Sequence, residues 1–511
     1  MINMQEEPVI ASSRTSAQVD YSIPIHPISL AAIGDQVRLF QSPVNSHTVF
    51  LPLLSRTLCN HTIGLDVSIA DNRTDHAAVS PGDTVCVNAG TRDYLYLRNF
   101  QGTAERPITF VNFGGQVIIR RSGILIQNSK HVRLTGSGEP GIEYGFRITS
   151  ASSNGVTIVN KSSDFEVDHV EITGVGLAGI KVGTPATCSD GSTSDWNAYD
   201  YDGDGIKFGD RDDVVNRSNF SIYNSVLHDN FIHDVGTEGI YVGSSFYSTG
   251  SVLNCASGPE SVYDPVVIGV NIYNNRVDDT GLDGIQIGSA IQNCSIHHNW
   301  IHGDSRTNQQ SEPSGIMNNR GSVCNIYNNF IKYTGGPGVY IQGNGGNRIF
   351  NNVVVNAGRT RNGSGIGIDT GSNTGNSVYV WHNTIISPNS FGINFNNTMG
   401  SNNKIHNNIV VNPGNYPYGD RSTDLDSEDD AFIQTWSHKN LTLSNNFLIV
   451  DITQARFTNP SADDYSLQPG SPAVDAGINL SAEGITVDYR DLSRPQGPGF
   501  DIGAFELDRT K

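Results

Sequence analysis

The feature that most constrains this chain is an internal repeat. From residue 229 onward, an asparagine that opens a short apolar run returns at separations of 45, 24, 30, 23, 31, 25 and 38 residues. A minimum near 23 with a variable excess describes one structural turn that carries insertions of different length, which a solenoid tolerates. The repeated asparagines are Asn230, Asn275, Asn299, Asn329, Asn352, Asn383, Asn408 and Asn446. The repeat therefore predicts a stack of similar coils.

A second signature, a glycine followed by isoleucine or valine, keeps step with the first. It occurs at Gly179, Gly205, Gly239, Gly284, Gly315, Gly338, Gly365 and Gly392. Each repeat is then expected to form three short strands, since long stretches with helical periodicity are almost absent and leucine-rich repeats would need a helix that the pattern lacks.

The clearest repeat predicts strands at residues 231–234, 239–243 and 266–273, with Ile240 pointing inward and Tyr241 outward. The repeated asparagine is expected to stack on its equivalent in the next coil and to tolerate a left-handed backbone. One inward stack is predicted for Ile240, Ile285, Ile316, Val339, Ile366 and Ile393.

The six cysteines support the same alignment. Cys294 and Cys324 each lie five residues before a repeat asparagine, which predicts stacked neighbours with Cα atoms about 5 Å apart, inside the disulfide range. No CxxC pair occurs, which argues against a zinc or thioredoxin-type site, and the even count suits an oxidising compartment.

Charge and hydropathy exclude several classes of function. The chain has 511 residues, of which 37% are hydrophobic, so it can bury a large core and is expected to be a soluble globular protein. Its 32 basic and 51 acidic residues leave a net charge of −19, which argues against a nucleic-acid partner. No run has the length of a membrane span, and residues 1–7 lack the pattern of a signal peptide. We expect any export signal to have been removed or replaced.

Residues 79–450 resemble the right-handed parallel β-helix proteins of the pectin-lyase-like superfamily. The resemblance begins at residues 81–90 and 102–110, which are similar to the first coils of secreted lyases and related bacterial proteins, and a tail at 475–506 is similar to the C-terminal segment common on such chains. It implies an all-β solenoid in three parts, a cap at 1–78, the β-helix at 79–450 and a tail at 451–511. It also implies a secreted or periplasmic bacterial protein that acts on a polysaccharide or oligosaccharide.

Three carboxylates, Asp204, Glu238 and Asp283, stand just before successive Gly-Ile pairs. With a coil rise of about 4.8 Å, Glu238 and Asp283 are expected about 5 Å apart, the separation typical of a retaining glycosidase. Asp204 and Asp283 would be about 9–10 Å apart, near the inverting range. Residues 282–287 also resemble the catalytic motif of polygalacturonases, with Gly281-Leu282 in place of its Asn-Thr. The alternative is that these are acids favoured by turns.

A calcium loop is predicted beside them. Asp200, Asp202 and Asp204 match the Asp-x-Asp-x-Asp-Gly opening of such a loop, whose carboxylate oxygens suit Ca²⁺. Position twelve holds Arg211 rather than the expected glutamate. A solvated acidic loop, and a catalytic role for Asp204, are the alternatives.

A lyase would use different groups: a cation beside the uronate carboxylate, and a basic residue or tyrosine as the base. A sugar-binding groove is predicted along Lys181, Lys207, Tyr241, Gln286, Met317 and Tyr340, with His233 at the turn side and Arg320 one coil on. Simple solvated side chains are the alternative for each. Long insertions at 184–199, 244–264, 304–313 and 358–364 flank the same coils and are expected to build walls of a site or to be tolerated surface loops.

The first hypothesis is a glycoside hydrolase that uses Glu238 and Asp283, with His233 as a further catalytic candidate. The second is a lyase that eliminates across a uronate linkage with calcium and Lys207, Tyr241 or His233. The third is a surface or adhesion protein without catalysis.

Overall fold

Three parallel sheets wind round one apolar core, because each coil contributes three short strands with alternating inward and outward side chains. The computed structural model describes residues 58–189, 214–307, 309, 313–361, 363–369, 376–397, 400–414, 431–435 and 440–510, all within the unit Arg56–Lys511. The right-handed parallel β-helix implied by the resemblance is confirmed.

We call the three faces sheets A, B and C, in the order in which each coil visits them. Sheet A contains Lys130–Thr135, Ser163–Asp168, Ser221–His228, Val266–Tyr273, Ala290–His297, Cys324–Tyr327, Arg348–Phe350, Tyr379–Trp381, Asn403–His406 and Leu441–Ser444. Sheet B contains Phe146–Thr149, Val170–Thr173, Phe231–His233, Arg276–Asp278, Trp300–His302, Phe330–Lys332, Val353–Val355, Thr384–Ile386, Ile409–Val411 and Phe447–Ile449. Sheet C contains Val156–Val159, Ile180–Val182, Ile240–Val242, Ile285–Ile287, Ile316–Asn318, Val339–Ile341, Ile366–Asp369, Ile393–Asn396 and Ile433–Thr435.

The first described coils use longer strands. Thr84–Arg98 and Ile108–Gln127 run through all three faces, and His61–Ile63 and Ile69–Asp71 pair with the former. Two antiparallel hairpins, Ser251–Cys255 with Gly258–Val262 and Phe457–Asn459 with Asp464–Leu467, stand outside the solenoid. Helical residues in the described ranges form the 3₁₀ turns Ile452–Ala455, Pro460–Ala462 and Ser481–Glu483, and no helix there is long and apolar enough to span a membrane.

The predicted inward stack is confirmed. Ile240 pairs with Ile285, which pairs with Ile316, and the series continues through Val339, Ile366 and Ile393, all fully buried.

The asparagine stack is also confirmed, with one correction. Each side-chain amide donates to the oxygen of the next, from Asn230 to Asn446, at 2.9–3.0 Å. The left-handed residue is the one before the ladder, for example Asp229 (φ 52°) and Asn274 (φ 54°). The ladder asparagine follows this left-handed residue, and its side-chain amide also donates to a buried backbone carbonyl of the preceding coil. Each coil is therefore hydrogen-bonded to its neighbours in the interior.

Three disulfides fasten coils and insertions together. Cys294 and Cys324 are bonded with Cα atoms 4.5 Å apart, which confirms that they are stacked neighbours. Cys59 is bonded to Cys86, and Cys188 to Cys255 on the first hairpin.

One predicted coil is absent from the stack. Ile180 pairs directly with Ile240, and Lys181 with Tyr241, so no coil lies between them. The Gly-Ile pair at residue 205 predicts a coil with Asp204 and Lys207 between these two strands. The two residues themselves lie outside the described ranges, and the coil before Glu238 carries Ala178 at the equivalent place.

The C-terminal segment folds back over the last coils. Its apolar side chains, including Phe457, Leu467 and Phe505, cover the outer face of sheet B from Phe330 to Ile449. A smaller group around Leu480 and Ile485 covers Trp381 on sheet A.

Candidate functional site

Sheet C carries five of the predicted groove residues, Lys181, Tyr241, Gln286, Met317 and Tyr340, in one row and in direct register. Gln286 and Met317 are each 1% exposed, so the row is not open along its whole length, and Lys207 lies outside the described residues. Successive strands of a parallel sheet lie about 4.8 Å apart, so this row forms a continuous line along the solenoid.

A cavity of about 830 Å³ lies over the first part of this row. Lys181 and Tyr241 line it together with Leu125 of the preceding coils, and Phe246 and Asp264 come from the insertion after Tyr241. A volume of this size is typical of a ligand site. The insertion predicted at 244–264 therefore contributes to the cavity.

The cavity wall is braced by covalent and polar contacts. The disulfide Cys188–Cys255 ties the chain after sheet C to the hairpin Ser251–Cys255 and Gly258–Val262. Asp264 Oδ1 accepts a hydrogen bond from Ala186 N at 2.8 Å, and Glu260 accepts one from Ser189 N at 3.0 Å. The wall is thereby fixed relative to sheet C.

Lys181 and Tyr241 form a close pair among the lining residues. The Lys181 Nζ lies 2.9 Å from the centroid of the Tyr241 ring, a cation–π contact made by neighbouring coils. The phenol oxygen lies 2.8 Å from Ser245 Oγ and accepts from Ser245 N at 3.2 Å. Ser245 Oγ in turn accepts from Gln286 Nε2 and Asn319 Nδ2 at 3.2 and 3.1 Å. A positive charge and an oriented hydroxyl that can carry a proton thus stand side by side.

The two predicted catalytic carboxylates occupy equivalent places on adjacent coils, and neither is among the residues that line the cavity. Gly239 N donates to Asp283 O, which puts Glu238 and Asp283 in the same place on adjacent coils. Glu238 is 6% exposed and Asp283 is 0% exposed. Asp283 Oδ1 accepts from Ser314 N of the next coil at 2.6 Å, a backbone contact that turn acids make readily. Asp283 is therefore bonded to the backbone of the next coil and is not exposed to a sugar in this structure.

His233 lies on sheet B, a different face from the cavity. Its Nδ1 is 2.9 Å from Asp234 Oδ2 and its Nε2 is 3.5 Å from Glu171 Oε1, while its ring stacks on Phe231. The hydrogen bond from His233 holds the pKa of Asp234 below its usual range. The structure does not bring His233 together with Glu238 or Tyr241 on one face.

The remaining predicted ligands are spread along sheet C. Gln286 contacts the cavity group through Ser245, whereas Arg320 is exposed just after the strand Ile316–Asn318. Tyr340 lies three coils from Tyr241, and burial, with a smaller contribution from Asp369, raises its pKa. The calcium ligands Asp200, Asp202 and Asp204 lie outside the described residues, so the calcium site stays a prediction.

Sequence reasoning missed Ser245 and Asn319, which are linked to the Tyr241 hydroxyl, and Asp264 in the cavity lining. Ser245 and Asp264 stand in the insertion 244–264, where no repeat period assigns a position, and Asn319 directly follows the strand Ile316–Asn318. The available signal was the length of the insertion after Tyr241, which indicated a wall but not which side chains turn inward.

No known protein-family profile matches this chain, and no curated protein matches it. Among solved structures, it is similar to the pectate lyase Pel9A at 11% identity over 88% of this chain and 97% of that one, with a TM-score of 0.38. It is similar to XylC in complex with xylose at 11% identity over 84% and 95%, with a TM-score of 0.46. A third is the GH136 lacto-N-biosidase from Eubacterium ramulus, at 12% identity over 77% and 68%, with a TM-score of 0.42. At these identities the similarity concerns the fold.

Proposed function

We propose that this chain is a polysaccharide-active enzyme that cleaves a uronate-containing glycan by β-elimination in the cavity over sheet C. The observation that carries the proposal is the contact between the Lys181 ammonium and the Tyr241 ring in the lining of that cavity. Elimination needs a positive charge at the substrate carboxylate and a group that exchanges protons, and this pair supplies both.

The proposed reaction begins at the carbon next to the carboxylate. Its C5 proton passes to the base, the C–H electrons form the C4=C5 double bond, and the C4–O4 bond breaks with its electron pair on O4, which takes up a proton. Lys181 neutralises the carboxylate as negative charge develops there. In this proposal Tyr241, whose phenol oxygen is held by Ser245, takes the C5 proton as the phenolate and returns a proton to O4.

Hydrolysis by two carboxylates has less support from the geometry. It requires a pair that reaches opposite sides of one glycosidic bond. Asp264 contributes a carboxylate to the described part of the cavity lining, and its Oδ1 already accepts from Ala186 N. Glu238 and Asp283 are not among the residues that line the cavity, and Asp283 is fully buried.

The test is turnover of a panel of uronate and neutral polysaccharides, followed by ultraviolet absorbance of the unsaturated uronate and by reducing ends. We expect both signals from a uronate polymer. Y241F and K181Q should each lower kcat by about 10²-fold or more, the range for loss of a proton-transfer or charge-stabilising group. Y223F, which changes an exposed tyrosine on sheet A, should keep the wild-type rate.

The predicted carboxylate pair gives the contrasting experiment. E238Q and D283N should retain elimination activity if Tyr241 and Lys181 carry the reaction. Reducing ends without ultraviolet absorbance, together with loss of activity in E238Q and D283N, would establish hydrolysis instead. No turnover on any polymer would favour a binding protein.

A further inference from the structure

A second cluster of ionisable groups lies on sheet A, away from the sheet C cavity. Glu166 and Asp168 project from Ser163–Asp168, and His228 projects from the next strand, where it pairs directly with Asp168. His228 Nε2 lies 3.0 Å from Glu166 Oε1 and 4.0 Å from Asp168 Oδ2. These three atoms all lie within 4.8 Å of one another.

The imidazole is held as a metal-ligating histidine usually is. Its Nδ1 lies 2.6 Å from Asp229 Oδ2, so a carboxylate outside the three orients the ring and leaves Nε2 directed at the cluster. The ring also stacks on Tyr273, with centroids 4.6 Å apart and planes at 7°. Asp168 is fully buried and accepts from Thr135 Oγ1 at 2.6 Å. Two of the three groups are therefore preorganised.

Carboxylates outnumber the fixed positive charges in this cluster. Glu166, Asp168 and Asp229 face one guanidinium, that of Arg133, and the imidazoles of His228 and His169 contact Glu166 Oε1 at 3.0 Å and Asp168 Oδ1 at 2.6 Å. Arg133 Nε lies 2.9 Å from Asp168 Oδ2 and 3.1 Å from Glu166 Oε1, between the same oxygens. Its side chain is 37% exposed and Glu166 is 34% exposed, so the guanidinium can turn outward and leave the oxygens to another cation.

We propose that Glu166 Oε1, Asp168 Oδ2 and His228 Nε2 form a binding site for a divalent metal ion of the zinc class. Ligand atoms at about 2.0–2.2 Å from a tetrahedral ion are roughly 3.4 Å apart, which small side-chain rotations reach from the observed spacing. One nitrogen and two carboxylate oxygens suit Zn²⁺ better than Ca²⁺, which takes six to eight oxygens. Water would take the fourth position, and no cysteine is required.

Calorimetric titration of the full chain with Zn²⁺, after treatment with a chelator, tests the site. The wild type should bind Zn²⁺ at this site, and Ca²⁺ should not displace it. H228Q and E166Q should each weaken this binding by tenfold or more. H302Q, which changes a half-buried histidine on sheet B, should leave it unchanged.

Co²⁺ gives a readout of the coordination itself. A visible spectrum of the four-coordinate type should appear with the wild type and be lost in H228Q. R133Q should raise the affinity for Zn²⁺ by about tenfold, because it removes the competing cation. Binding of equal strength in the wild type, H228Q and E166Q would overturn the proposal, as would absence of Zn²⁺ binding in both the wild type and R133Q.

Discussion

The outer face of sheet B differs between the two ends of the solenoid, although its backbone is the same. In the earlier coils, the strand Arg276–Asp278 presents an arginine and an aspartate on its outward positions. Three coils on, the strand Val353–Val355 presents two buried valines at those positions, under the C-terminal segment. A strand covered on both faces loses the polar half of its alternation.

This difference separates two uses of one scaffold. In the covered coils, the outer face of sheet B is apolar and packs against the C-terminal segment. In the uncovered coils, the outer faces carry ionisable side chains. Both the Lys181–Tyr241 pair and the Glu166–Asp168–His228 cluster lie in the uncovered part. Continuous apolar runs within a repeat thus indicate where another segment packs.

The largest effect is expected inside the covering segment. Arg494 is fully buried, lies 2.7 Å from Glu506 and donates to Asn351 of the solenoid at 3.2 Å. R494M leaves the Glu506 charge without its cation and should cost roughly 3–5 kcal/mol. Chemical denaturation followed by circular dichroism measures this. R490M, at a partly exposed arginine of the same segment, is the control, and an equal loss in both variants would contradict the assignment.

Mutations in the inner stack should have the same effect on stability in the two regions. Ile285 and Ile366 belong to the same buried row. I285A and I366A should each cost about 2–5 kcal/mol, because each leaves a cavity in a close-packed core. The denaturation midpoints of the two variants are compared directly. A loss confined to one of them would show that the core itself, and not only its outer cover, differs between the ends.

The outward row of sheet B gives the matched test of the cover. Arg276 and Val353 occupy the same row, one exposed and one fully buried. V353N buries an amide and removes apolar contact, which should cost about 3 kcal/mol, whereas R276N should stay within about 1 kcal/mol. Similar midpoints for the two variants would mean that the segment does not protect this face in solution.

The smallest effect is a pH dependence of stability that comes from His297, whose ring stacks between Tyr273 and Tyr327 on sheet A. Burial, with a further contribution from His298, lowers the pKa of His297 to about 4, and its Nε2 lies 3.0 Å from Asn271 Oδ1. Between about pH 4 and about pH 6.5, the unfolded chain therefore binds more protons at His297 than the folded chain does. Stability should therefore fall as the pH drops through this window. H297Q should show a shallower decline than the wild type when denaturation midpoints are measured across it, and an unchanged slope would exclude His297 as a cause.

Much of the fold could be predicted from the sequence because it is periodic. Asn230 and its equivalents, the stack that contains Ile240, and the pair Cys294–Cys324 all follow from residues that recur at fixed places within each coil. The direct pairing of Ile180 with Ile240 did not follow, because the Gly-Ile pair at residue 205 predicts a further coil between them. The contact between Arg494 and Asn351 joins residues 143 apart in the chain, which no local pattern records.

The candidate sites were less predictable for a related reason. Tyr241 was placed on the outward row by period-two alternation, but its partner Ser245 lies in an insertion without a period. Asp168 pairs with His228, sixty residues later in the chain, because their two strands are direct neighbours. The sequence pattern predicts a further coil in this part of the chain. The sequence did contain a signal for the position of His228. The residue two places before each ladder asparagine from Asn230 to Asn408 is histidine or aromatic: His228, Tyr273, His297, Tyr327, Phe350, Trp381 and His406.

The asparagine ladder determines where this protein can change during evolution. In every coil from Asn230 to Asn446, two residues separate the strand of sheet A from the strand of sheet B, because each amide must meet the next at about 3 Å. Variation in coil length, from 23 to 45 residues, therefore falls outside this corner, in the strands and in the other two corners, which include the cavity wall. Related chains can then diverge in loop length and overall identity while keeping this corner constant. We therefore expect the spacing of Asn-containing two-residue corners to persist in related solenoids whose overall sequences have diverged.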